Sequence, residues 1–161
     1  QVLAGIPAID LWVLEKNKER KTLAQTLGFQ IWEAEVEQQS FDIAFHTTSQ
    51  EAGLQFCIDQ LGFGGKVVEM SWYGVKKVQL DLGGSFHQQR KQIISSQVGH
   101  IPPGRSDRWD FRRRKEVVFS LLADPVFDAY LNSIISFTDA PAFFRQLRQG
   151  ASRELGVCLE Y

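Results

Sequence analysis

Cysteine, methionine and histidine are all scarce in this chain: two, one and three among 161 residues. Cys57 and Cys158 belong to no CxxC pair and no Cys/His cluster, which excludes a structural zinc site of the usual spacing. Both fall in apolar surroundings and read as buried thiols of a reducing compartment, so the expected location is cytoplasmic. His46, His87 and His100 sit on separate segments without ligand spacing and are read as structural or surface residues. A basic excess is missing too. The 18 Lys and Arg stand against 19 Asp and Glu, a net charge of −1, so no nucleic-acid partner is expected. No apolar run approaches the ~20 residues that cross a bilayer, so no membrane partner is expected either. The opening QVLAGIP has no basic leader, and its apolar stretch is too short for a signal peptide. The phosphate-cradling GxGxxG is absent from the whole chain.

What remains is 43% hydrophobic and 23% charged, the balance of one compact domain or of a domain with a short appendage. Residues 9–15 (IDLWVLE) read as a buried strand ending on a carboxylate. A helix follows, capped by Asn17 and stopped at Gly28. A short edge strand over 30–35, a strand over 41–47 (FDIAFHT) and a helix capped by Ser49 come next. Leu54, Cys57, Ile58 and Leu61 keep helical spacing on that helix. Gly64-Gly65 is read as a turn into a third strand, 66–72. Strand alternating with helix at these spacings predicts right-handed crossovers and a parallel sheet.

Residues 78–82 alternate apolar and polar and close on Gly83-Gly84, and 93–98 read as a further strand. The stretch 99–110, with Pro102, Pro103 and Gly104, is the expected boundary between a first domain, 1–100, and a second, 101–161. Beyond it, 112–123 reads as a helix, 130–137 as a strand, a segment from Thr138 or Asp139 to Gln149 as a helix, and 155–161 as a final strand.

The carboxylate at the end of the first strand is the first chemically informative residue. An acidic side chain there accepts hydrogen bonds from both hydroxyls of an adenosine ribose in dinucleotide-binding folds. Glu15 suits this, its charge repels a 2′-phosphate, and Arg20 on the next helix flanks the same place. The equally simple reading is a solvated charge at a strand end. Only about eight residues precede this strand, too few for the first strand and glycine turn of a mononucleotide fold. With no initiator methionine, the expectation is a chain that begins inside the first helix of a longer protein.

Val13-Leu14-Glu15, Glu19-Arg20, Leu23-Ala24 and Leu27-Gly28-Phe29 resemble the second strand and helix of the medium-chain, zinc-type alcohol dehydrogenases. Phe41-Asp42-Ile43-Ala44-Phe45 is similar to the fourth strand of that family, and Leu61 through Val68 to the turn and fifth strand. Ile93-Ile94-Ser95-Ser96-Gln97-Val98-Gly99 is similar to the sixth. Leu122-Ala123-Asp124-Pro125, Phe127 to Leu131, Phe137, Asp139-Ala140-Pro141 and Phe144 resemble the segment that returns to the catalytic domain. The likeness runs to the threonine-dehydrogenase-like branch of zinc-binding dehydrogenases.

The resemblance implies an α/β, Rossmann-like, doubly wound parallel sheet lacking its first strand and glycine loop, plus a C-terminal segment of the catalytic domain. It implies hydride transfer between a nicotinamide cofactor, NAD rather than NADP, and a small alcohol or carbonyl substrate. By position, Glu15 and Arg20 would hold the adenosine ribose, and Thr47 and Thr48 would line the adenine side. Met70, Ser71 and Trp72, with Ser95, Ser96 and Gln97, would approach the nicotinamide. The sequence departs from the family at Thr48-Ser49, where a small glycine is usual, and at Trp72, where small residues are common. The catalytic zinc would belong to the full-length protein, its ligands and proton relay lying upstream of residue 1. No catalytic or metal-binding residue is therefore assigned to this chain, which is expected to be inactive alone and to form a homodimer through the 93–98 strand. A missing central strand predicts two open sheet edges, closed by direct pairing or by a borrowed strand.

Two other classes fit the same elements. Adenosylmethionine-dependent methyltransferases also place an acidic residue after their second strand. A non-catalytic α/β interaction module would use the run Arg105, Arg108, Arg112, Arg113, Arg114 and Lys115 as its contact surface. Asp42 and His46, four apart on a strand, lack a Ser or Cys nucleophile motif nearby and are not read as a catalytic dyad.

Overall fold

In the computed structural model, residues 1–33, 40–150 and 154–161 are described, without the side chain of Asn132. Contacts divide the chain into one unit of residues 10–100 and another made of 1–9 and 101–161.

The first unit begins with β1 (Trp12–Val13) and α1 (Lys18–Thr26). Asn17 caps α1 as expected, its side-chain oxygen accepting from the backbone N–H groups of Glu19 and Arg20, both at 3.0 Å. Gly28 leaves the helix at φ 81°, a conformation that glycine adopts without the Cβ penalty. β2 (Gln30–Ile31) pairs in parallel with β1, two residues on each side. Both strands are much shorter than their apolar runs. The chain leaves β2 at Trp32, whose ring packs against Phe41 and Phe56 at 5.2 and 5.3 Å. Residues 34–35 of the expected edge strand lie outside the described residues.

A second, three-stranded parallel sheet has the order β3 (Phe41–His46), β4 (Leu61–Glu69), β5 (Gln92–Ser95). The crossover helix α2 (Glu51–Asp59) buries Leu54 and Ile58 against Leu61 and Val67. Leu61 belongs to β4 rather than to the helix, and Gly64-Gly65 lie within that strand rather than before it. Two steps along β3, from Phe41 to Ile43, match five along β4, from Leu61 to Lys66. The glycines thus form a bulge, with Gly64 at φ 72°.

Residues 78–82 alternate as expected but enter no sheet among the described residues. Val78 and Leu80 pack on the core, while α2 side chains take backbone hydrogen bonds that a neighbouring strand would take. Gln79 N–H donates to Glu51 (3.1 Å) and Asp81 N–H to Gln55 (2.8 Å). A one-turn helix, α3 (Ser85–Gln88), follows Gly84 and was not foreseen from the sequence.

The second unit holds α4 (Phe111–Leu122), capped by Asp110, and a β6–α5–β7 crossover. β6 (Leu131–Ser136) and β7 (Gly156–Glu160) run parallel on either side of α5 (Ala140–Arg148). Both cysteines are free thiols; Cys57 is half-buried, but Cys158, expected to be buried, is exposed on β7. No described helix is long and apolar enough to cross a membrane.

Candidate functional site

Three parallel strands end in step. His46 on β3 stands opposite Glu69 on β4, and Glu69 opposite Ser95 on β5. The ladder continues one bond further on each side: Met70 N–H donates to His46 C=O at 2.9 Å and Ser96 N–H to Glu69 C=O at 2.8 Å. Thr47-Thr48, Met70-Ser71-Trp72 and Ser95-Ser96-Gln97 therefore leave one sheet at one level, its carboxyl edge. Open parallel sheets bind ligands outside that edge. Trp72, at 88% exposure, stands in solvent rather than in the core.

Glu15 and Arg20 lie at the corresponding end of the other sheet, two residues past β1 and on the first turn of α1. One Glu15 oxygen accepts from Asn17 N–H at 2.8 Å. A carboxylate offers roughly four lone-pair positions, so it retains acceptor capacity for hydroxyl donors. The Arg20 Nε is buried with no hydrogen-bond partner among the described residues.

A polar cluster that the sequence did not disclose sits beneath the three-stranded edge. His46 is 2% exposed, with its Nδ1 2.7 Å from one Glu69 oxygen and its Nε2 2.7 Å from the Thr48 hydroxyl. Tyr73 donates its hydroxyl to the same Glu69 oxygen at 3.1 Å, and Ser71 N–H donates to the other at 2.7 Å. Burial pushes the Glu69 carboxyl up, but the hydrogen bonds from His46 and Ser71 outweigh it and hold it below the usual carboxylate range. Burial and the neighbouring Glu69 charge push the Tyr73 phenol up to about 12. Gly53 on α2 makes room for the cluster: a Cβ there would fall 2.6 Å from Thr48 Oγ1 and 2.9 Å from His46 Nε2. His46 and Glu69 are each the polar residue that closes an apolar run, FDIAFH and KVVE, and that shared pattern is the signal that could have paired them.

Ser49 adopts φ 53°, in the left-handed region. Its N–H donates to Ser71 Oγ at 3.0 Å, tying the β3 loop to the β4 loop. Ser49 does not cap α2. Gln50 holds that position without a side-chain bond, while Thr48 Oγ1 accepts from Gln50 N–H at 3.3 Å.

The arginine run is engaged locally. Arg113 lies over the Trp109 ring at 4.7 Å and donates to Arg108 C=O, Arg114 lies over Phe111 at 4.9 Å, and Arg112 pairs with Glu116 at 3.0 Å. Among the described residues, no three His, Cys, Asp or Glu side chains come together as a metal site.

No family model and no curated protein matches this chain. Solved structures do. The chain is similar to 2R,3R-butanediol dehydrogenase from Bacillus subtilis (TM-score 0.69, 16% identity, 93% of this chain and 43% of that one). It is similar to L-idonate 5-dehydrogenase from Escherichia coli (0.70, 15%, 96% and 43%). It is also similar to the yhdH oxidoreductase from Salmonella enterica, solved in complex with NADP (0.66, 16%, 93% and 46%). The chain spans less than half the length of these relatives. The likeness shows the fold: parallel α/β, consistent with a partial Rossmann-like fragment.

Proposed function

We propose that this chain is most of the nucleotide-binding domain, with the returning segment, of an NAD-dependent zinc-type alcohol dehydrogenase of the threonine-dehydrogenase-like branch. The observation that carries this is the level alignment of His46, Glu69 and Ser95, which sets three strand-end segments at one carboxyl edge. When bound, the nicotinamide accepts or returns a hydride. The protein's own part is to hold the dinucleotide: Glu15 and Arg20 at the adenosine ribose, Thr47 and Thr48 beside the adenine, and Met70 to Trp72 with Ser95 to Gln97 near the nicotinamide.

The negative charge of Glu15 favours a free 2′-hydroxyl over a 2′-phosphate, hence NAD over NADP. The zinc ligands and the alcohol or carbonyl pocket belong to the remainder of the full-length protein, and this chain alone turns nothing over. Two features support such an incomplete sheet. β1 and β3 remain in separate sheets rather than pairing across the gap, and Ile43 and Phe45 on β3 are 46% and 44% exposed. All of β5 is exposed as well, which fits a homodimer formed along that edge.

Titration of the chain with NADH, NADPH and adenosylmethionine tests the reading. Saturable NADH binding, weakened by Glu15→Ala, is expected. Tight adenosylmethionine binding without a response to NADH would overturn it, as would a zinc-dependent alcohol oxidation rate from this chain alone.

A further inference from the structure

Glu69 accepts from three donors, Tyr73 O–H, Ser71 N–H and His46 Nδ1, and its carboxyl is held below the usual range. An ionised carboxylate only accepts, so the proton on the neutral His46 ring sits at Nδ1 and Nε2 is bare. Bare Nε2 accepts the Thr48 O–H across 2.7 Å. A hydroxyl carries one donor and two acceptor positions. The donor goes to His46, one acceptor position takes Gln50 N–H at 3.3 Å, and one acceptor position is left. Thr48 is exposed, two residues past the end of β3.

Protonation of His46 inverts this. Nε2–H then donates to Thr48 and Gln50 N–H keeps the second acceptor position. The Thr48 O–H is released, and the same hydroxyl can only donate.

We propose that His46 is a positioning residue that sets the hydrogen-bonding sense of Thr48: neutral His46 presents Thr48 as an acceptor for a hydrogen-bond donor of the bound dinucleotide, and protonated His46 withdraws that acceptor. The ligand half of this inference rests on the dinucleotide reading; the His46–Thr48 half does not. The titratable groups around His46 are Glu69 on β4 and Tyr73 beyond it. Glu51 and Cys57 on α2 act on Tyr73, and Cys57 is itself influenced by Glu69. Gly53 has no side chain to intrude between His46 and Thr48.

The experiment pairs two measurements on the full chain. Imidazole ¹H–¹⁵N spectra, assigned for His46 with a His46→Gln variant, are recorded across pH. NADH binding is followed by its fluorescence over the same range for wild type, Thr48→Val and Thr48→Ser. The expected neutral ring is protonated at Nδ1 with Nε2 bare. NADH affinity should fall about tenfold as His46 protonates, the scale of one unpaired hydrogen-bonding group. Thr48→Val should be about tenfold weaker at high pH and flat with pH, and Thr48→Ser should restore the wild-type profile. A neutral His46 carrying its proton on Nε2 would overturn the inference, as would a Thr48→Val variant that keeps the wild-type pH dependence. If the wild type binds no NADH at any pH, the dinucleotide reading and the ligand half fall together, while the ring tautomer still decides the His46–Thr48 half.

Discussion

His46 and Glu69 face each other in register on adjacent parallel strands, with Nδ1 2.7 Å from a carboxylate oxygen and the histidine 2% exposed. They are 23 residues apart in sequence, and the pairing of β3 with β4 alone makes them neighbours. The pair links the core to the edge, because the other ring nitrogen holds Thr48.

The pH dependence of stability follows from the sign of the Glu69 shift. A carboxyl held below its unfolded value, about 4.3, stabilises the fold fully above that value. The contribution is lost as pH falls through the lower folded value. Urea unfolding midpoints should therefore drop on acidification below about pH 4.3, and Glu69→Gln should flatten that part of the profile while lowering stability near neutrality. An unchanged acid limb in Glu69→Gln would show that the carboxylate is not held as described.

Gly53→Ala sets helix propensity against packing. Alanine gains about 1 kcal/mol of propensity in a helix. Here its Cβ would meet Thr48 Oγ1 at 2.6 Å and His46 Nε2 at 2.9 Å, and crowding of this kind costs about 1–3 kcal/mol. Net destabilisation and weaker NADH binding are expected, measured by chemical denaturation and titration. A more stable variant with intact binding would contradict the close approach.

Ser49→Gly should go the other way. A serine held at φ 53° bears roughly 1–2 kcal/mol of left-handed strain, partly offset by the entropy that glycine loses on folding. The long Ser49 Oγ contact to Trp72 C=O, 3.4 Å, is little to lose. A gain of about 0.5–1 kcal/mol in unfolding free energy is expected.

Lys91 tests the opposite end of the sheet. It is 5% exposed, and its ammonium donates to Ile58 C=O at 2.8 Å and to Ser85 Oγ at 3.1 Å, closing the last turn of α2. Lys91→Met should cost about 1–3 kcal/mol by removing those charge-assisted hydrogen bonds, with NADH affinity unchanged. Calorimetry and titration on the same sample separate the two effects.

Local chemistry explains which parts of this fold could be read from the residues alone. Asn17 and Gly28 bound α1 because capping and positive φ are properties of single residues. The apolar runs over 41–47 and 66–72 revealed β3 and β4, whose periodicity needs no partner to be seen. Leu61 misled because one apolar residue suits a helix face and a strand start equally well. In residues 78–82 the alternation reports a buried face, not a strand partner, and Glu51 and Gln55 supply the hydrogen bonds instead. The extent of β1 depends on what lies beside it, and nothing in IDLWVLE encodes that only Trp12 and Val13 find a partner. His46 stayed hidden for the same reason: a lone histidine at the end of an apolar strand has no visible role until Glu69 is set opposite.

We propose that a nicotinamide dinucleotide lies along the carboxyl edge defined by His46, Glu69 and Ser95. Backbone amide spectra of the labelled chain, recorded while NADH is added, test it most directly. Saturable shifts concentrated at residues 15–20, 47–50, 70–72 and 95–97 are expected. Shifts confined to the arginine-bearing stretch 105–115, or none at saturating NADH, would contradict it.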